Sequence, residues 1–218
     1  MTRAHFITRV LKPGLWLAGL GPTFWLLYAG FAGRMGADPI KTLRDVTGLS
    51  ALVILFVTLS VTPLRRATGW NEVIRVRRLI GLFAFFYATV HAVTYFIFDQ
   101  EMSYTLVKED VLEHPWVTVG FTAWVLLIPL AITSTNGWAR RLGKRWGRLH
   151  RLVYVIPALG VLHYLWLVKR DVRTPEIFGW VLIAILATRL RVWNWGIKGL
   201  QDWRSRRAIV ARVEEARN

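Results

Sequence analysis

The stretch from Leu79 to Phe98, LIGLFAFFYATVHAVTYFIF, is 20 residues long and carries no charged side chain. A bilayer's hydrocarbon core takes about 20 helical residues to cross, and within it each backbone amide must find its partner inside the segment. Such a run is restricted to an α-helix. Five further apolar runs accompany it. Pro13 to about Gly33 reads as span one, and about Thr47 to Thr62 as span two, stopping at Pro63. Leu79 to Phe98 is span three, about Pro115 to Thr133 span four, and Gly143 to Arg170 span five. Span six covers Glu176 to about Ala187 and continues towards Trp195. The expected fold is an all-α integral membrane protein, a six-transmembrane-helix bundle forming one domain over residues 1–218. Its charged tail occupies about residues 198–218, and no internal repeat is legible. The first apolar segment follows a short basic end, as a signal peptide's would, but its length suits a retained span better.

Charge sets the orientation. The net charge of +16 raises the question of nucleic acid, yet basic residues cluster beside the spans, as positive-inside topology requires. Nucleic acid is therefore not expected as a partner, whereas membrane lipid is. Lys and Arg number 3, 5, 5 and 8 in the N-terminus, second loop, fourth loop and tail, against 3, 1 and 3 in the other loops. The richer set faces the cytoplasm, which puts both termini there. Cysteine is absent, so disulfides, Fe–S clusters and thiolate metal sites are excluded.

Histidine is the ionisable group that stands out at membrane depth, where such groups are rare and functional by default. His91 lies 12 residues beyond Leu79 in span three, and His163 lies 13 beyond His150 in span five. At 1.5 Å per residue, each sits about 18–20 Å above the cytoplasmic boundary. Two imidazoles at one depth on different helices can ligate the iron of a single b-type haem from opposite sides; the plainer role for each is a hydrogen bond to a neighbouring helix. His150 stands at the cytoplasmic boundary. On an ideal helix it falls about 140° from His163, with Pro157 between them as a possible kink. It is a candidate for a second, inner haem, for the vicinity of a flavin or quinone, or for an ordinary interfacial residue. Arg77, Arg78, Arg145 and Arg148, with Lys144, form a basic cytoplasmic cluster that suits a flavin phosphate, although positive-inside topology already accounts for those charges. His5 and His114 lie outside the spans and receive no role.

The arrangement of one histidine on the third span and two, thirteen apart, on the fifth resembles the ferric-reductase-like transmembrane domain shared by ferric reductases and NADPH oxidases. A closer likeness is to the haem-binding membrane subunits of bacterial methionine sulfoxide reductase systems. It is carried by GADPIKTLRDVTG, TPLRR, RVRRLIGL, ATVHAVTY, STN, LGKRWGRLHRLVY and HYLWLVK, spread over about residues 35–169. The resemblance implies a core over about residues 45–170 in the bacterial inner membrane, crossed several times, with haem b and FMN as cofactors. His91, His150 and His163 are the matching histidines, with His91 and His163 as axial ligands of the iron. It implies electron transfer from the quinone pool, or from a cytosolic flavin reductase, to a periplasmic molybdopterin reductase of the MsrP type. That partner repairs oxidised methionines, so this chain would be an electron-transfer subunit rather than the catalytic one. Two departures from the oxidases stand out. Arg77 occupies the position, fourteen residues before His91, where they carry a further histidine. The tail is also too short to fold their flavin and nicotinamide domain, and GLGPTF fails the dinucleotide spacing. Two other classes compete: a cofactor-free membrane scaffold, and a small proton-coupled transporter, which would need acidic groups at membrane depth that the spans lack.

Overall fold

The computed structural model describes residue 5 and residues 7–168 and 172–188. All regular structure among them is helical. The chain divides into a unit Met1–Leu182 and a unit Ile183–Asn218, of which residues 183–188 are described. The basic pair Lys169 and Arg170, the continuation of span six beyond residue 188 and the tail from Lys198 lie outside the described residues.

Among the described residues nine α-helices follow in order: α1 (Lys12–Phe31), α2 (Pro39–Thr68), α3 (Arg77–Thr94), α4 (Tyr104–Glu113), α5 (Pro115–Ile132), α6 (Asn136–Leu142), α7 (Lys144–Leu149), α8 (Val155–Leu167) and α9 (Arg173–Ala187). A 3-10 turn, Asn71–Val76, leads into α3, and a π-helical turn, Tyr95–Asp99, extends it. Among the described residues, three helical stretches are long and apolar enough to cross a membrane: Pro39–Thr68, Asn71–Asp99 and Pro115–Ile132.

Local chemistry moves several boundaries from their expected places. The α2 helix starts at Pro39, eight residues before the apolar run, because the Asp38 side chain accepts from the Lys41 amide at 2.8 Å and proline suits the first helical position. It also runs past Pro63 to Thr68. Proline deletes one donor in a membrane helix without ending it, and the stop comes at Gly69, whose φ of 67° reverses the chain. Span five is not one helix. Gly143, at φ 49° and ψ −122°, separates α6 from α7, and a 3-10 segment, His150–Tyr154, separates α7 from α8. Pro157 then falls in the first turn of α8, where its missing N–H costs nothing, so it opens that helix instead of kinking it. Five residues at three per turn also advance the chain by about 100° more than an α-helix would, bringing His150 to within about 40° of the His163 direction.

Four helices close a ring: α2 packs on α3 and α8, α3 on α5, and α5 on α8. The α1 helix lies outside it, against α2 and α3. Its seat is the hydroxyl of Tyr87, a side chain only 1% exposed. That hydroxyl donates to the Gly19 carbonyl at 2.7 Å and lies 2.9 Å from Thr23 Oγ1. Gly19 permits the approach, since a Cβ there would come within 2.6 Å of the Phe83 ring. Interhelical hydrogen bonds in membranes contribute about 0.6 kcal/mol on average and up to about 1.7. Tyr87→Phe is expected to lower unfolding stability by about 1 kcal/mol, measurable as an earlier midpoint in SDS titration; an unchanged midpoint would show that α1 is held by packing alone. The α9 helix leans on α2 and α8 through Phe178, whose ring meets Phe56 at 5.4 Å and Tyr164 at 6.4 Å.

Candidate functional site

The ring of helices brings together His91 of α3 and His163 of α8, with ring centroids 6.3 Å apart and planes nearly perpendicular, at 80°. Each ring is held from behind. His91 Nδ1 lies 3.0 Å from the Arg44 carbonyl of α2, and His163 Nδ1 lies 2.7 Å from the Trp116 carbonyl of α5. A carbonyl can only accept, so both Nδ1 atoms carry the proton. Both Nε2 atoms then keep a lone pair, the tautomer a metal-binding imidazole needs. Among the described residues no three His, Asp or Glu side chains gather as a metal site. The chain offers two imidazoles, and the chemistry that suits them is a metal bringing its own remaining ligands.

One end of this pair is tied down by groups that sequence reasoning passed over. Arg44, whose carbonyl holds His91, donates from Nη1 to Asp99 Oδ1 at 2.6 Å. On the other side, Asp110 of α4 accepts from the Tyr95 hydroxyl, from Gln100 Nε2 at 2.9 Å and, on its other oxygen, from His114 Nδ1 at 2.6 Å. The His114 ring packs on Trp116 at 4.6 Å, and Trp116 supplies the carbonyl that holds His163. The loop after span three, acidic through Asp99, Glu101, Glu109, Asp110 and Glu113, thus contains a helix pinned beside the histidine pair. Its only sequence signal was the Asp110/His114 spacing of four, which places both on one helix face.

His150 belongs to a second cluster, at the opposite end of α5. The Thr133 hydroxyl donates to the Pro129 carbonyl at 2.6 Å, which leaves its oxygen to accept from His150 Nε2 at 3.0 Å. Trp146 stacks on the His150 ring at 4.0 Å and donates from Nε1 to the Thr133 carbonyl at 2.9 Å. Nearby in sequence, Asn136 Oδ1 accepts from Arg78 Nη1 at 3.3 Å, which links the start of α3 to α6. Arg77 is half-buried, and Arg145 and Arg148 are exposed on α7.

A family model described as ferric reductase like transmembrane component matches residues 46–161, just over half of the chain. The protein of Xanthomonas euvesicatoria pv. vesicatoria named protein-methionine-sulfoxide reductase heme-binding subunit MsrQ is 50% identical over 178 residues, which cover 82% of this chain and 81% of that one. The chain belongs to the MsrQ family of ferric-reductase-like membrane proteins. MsrQ proteins of Xanthomonas campestris pv. campestris and Herminiimonas arsenicoxydans agree, at 49% identity over 85% of this chain and 83% of that one, and 48% over 85% and 86%. The family likeness read from the sequence motifs therefore holds, and with it the assignment as an all-helical membrane protein. The family model's range takes in His91 and His150 and ends two residues before His163.

Proposed function

We propose that this chain is a haem b-containing electron-transfer subunit, with His91 and His163 as the axial ligands of one iron. The observation that carries the reading is the opposed pair of imidazoles, both presenting an unprotonated Nε2. Two imidazoles on opposite sides of one metal, at metal–nitrogen distances of about 2 Å, have ring centres about 6 Å apart. The 6.3 Å separation fits. Haem b would supply one-electron chemistry at this point. The chain's own residues do the rest: the carbonyls of Arg44 and Trp116 orient the rings and strengthen them as donors, and the apolar helix ring keeps water out.

The chain forms one domain with its core over about residues 45–170. It crosses the bacterial inner membrane six times, with both termini in the cytoplasm. It accepts electrons from the quinone pool or from a cytosolic flavin reductase and delivers them to a periplasmic MsrP-type molybdopterin reductase. The names of the relatives assign those proteins to a methionine sulfoxide reductase system. The cluster of His150, Thr133 and Trp146 is the entry end, where a second haem, FMN or a quinone would bind, with Arg77, Arg78, Arg145 and Arg148 as the cations for a flavin phosphate. On this reading the chain is a carrier whose catalytic partner is another protein.

The direct test is a dithionite-reduced minus oxidised visible spectrum of the detergent-purified protein, with haem quantified. A low-spin b-type spectrum is expected. Reconstituted protein free of haem would return the choice to a scaffold or a transporter. Topology has its own test. A periplasm-dependent reporter such as alkaline phosphatase is expected to be active when fused within α4 and inactive when fused at Gly69 or Gly143; activity at Gly69 would reverse the orientation.

A further inference from the structure

The two acceptor carbonyls share a feature that the histidines alone do not explain. In an α-helix the side chain at position i+4 leans back over the carbonyl of residue i. The residue four after Arg44 is Gly48, and the residue four after Trp116 is Gly120. A Cβ on Gly48 would lie 3.0 Å from both Nδ1 and Cε1 of His91. A Cβ on Gly120 would lie 2.6 Å from Nδ1 and 2.8 Å from Cε1 of His163. In each case the missing side chain is what lets an imidazole from the next helix reach a carbonyl that an ordinary residue would cover. The spacing repeats as well. Each histidine lies 47 residues after its acceptor. Residues 44, 48 and 91 recur as 116, 120 and 163, a constant displacement of 72. The pair α2–α3 and the pair α5–α8 thus use one device twice, a repeat that the side chains hide because little else in the two pairs matches.

We infer that Gly48 and Gly120 are positioning residues: they open the Arg44 and Trp116 carbonyls to the imidazoles of His91 and His163 and so set the donor strength of both rings towards an iron held between them. This rests on the proposed haem function and adds two residues to it. An N–H···O=C bond at Nδ1 makes the imidazole a stronger donor at Nε2. A stronger donor favours the ferric over the ferrous state, which lowers the reduction potential. Filling either seat pushes the ring away from its carbonyl and raises it.

The experiment compares wild type, Gly48→Ala and Gly120→Ala, with Gly30→Ala as control because a Cβ there meets nothing within 4 Å. The readouts on full-length purified protein are haem content, the midpoint potential from a redox titration of the visible spectrum, and the low-spin EPR g-values. Loss of an outer-shell partner weakens metal binding about 10–100-fold. Each tenfold loss in preference for the ferric state reads as an upward shift of about 59 mV. Both variants are expected to shift upward with altered g-values, Gly120→Ala more than Gly48→Ala, and the control to stay at the wild-type value. Variants that carry haem at the wild-type potential and g-values, whatever their yield, would overturn the inference and leave the glycines as packing residues. If Gly120→Ala fails to accumulate, the milder contact at Gly48 decides the matter alone. Wild type that binds no haem would instead overturn the function on which this rests.

Discussion

Replacing His91 or His163 by alanine is expected to reduce haem content to about a tenth of wild type or less in either single variant, and to remove the b-type difference spectrum. Outer-shell partners of a metal ligand are each worth about 10–100-fold in affinity, so loss of the ligand itself exceeds that. The single-variant effects should also be alike, because the two rings lie 6.3 Å apart and, on the proposed function, would share one iron. The informative comparison is His150→Ala. His150 is held by Thr133 and Trp146 in a separate cluster. A spectrum that stays at full intensity in that variant means one haem, while loss of about half means a second, inner one. If His91→Ala and His163→Ala keep wild-type haem, shared ligation by these helices is wrong.

Asp110→Ala is expected to have the next largest effect, and on a different property. Asp110 accepts from Tyr95, Gln100 and His114, and its side chain is 21% exposed. Hydrogen bonds to a charged group contribute about 1.5–3 kcal/mol each, partial exposure discounts that, and three donors lose their partner together. A loss of about 2–3 kcal/mol in the local stability of α4 follows. Amide exchange across Tyr104–Glu113 should accelerate about 30–150-fold, while the transmembrane helices keep their protection. Unchanged exchange in α4 would mean that its apolar face, not Asp110, holds it down. The consequence for function runs through His114, which packs on Trp116, whose carbonyl holds His163. Loosening α4 should therefore broaden the low-spin signal before it lowers haem content.

The helical class and the membrane environment were legible in the sequence because the bilayer leaves so few alternatives: a run such as Leu79 to Phe98 can only be a helix. His91 and His163 were legible for the same reason, as ionisable groups at a depth where such groups are scarce. Arg44 and Trp116 were not. They act through main-chain carbonyls, which every residue has, so their identity carries no mark of the role. Gly48 and Gly120 were hidden by a related ambiguity, since small residues in membrane helices usually serve close packing.

Taken alone, the sequence determined what each segment must be: which stretches are apolar helices, which ends are basic, and which two histidines stand inside apolar runs. Periodicity and charge are properties of single segments, and they survive without knowledge of neighbours. Only the tertiary structure decided which carbonyl each histidine meets, that the same seat occurs twice 72 residues apart, and that span five is interrupted through His150–Tyr154. Those features depend on how closely one helix approaches the next. That distance is set by side chains from both helices at once, so it is written in no segment by itself.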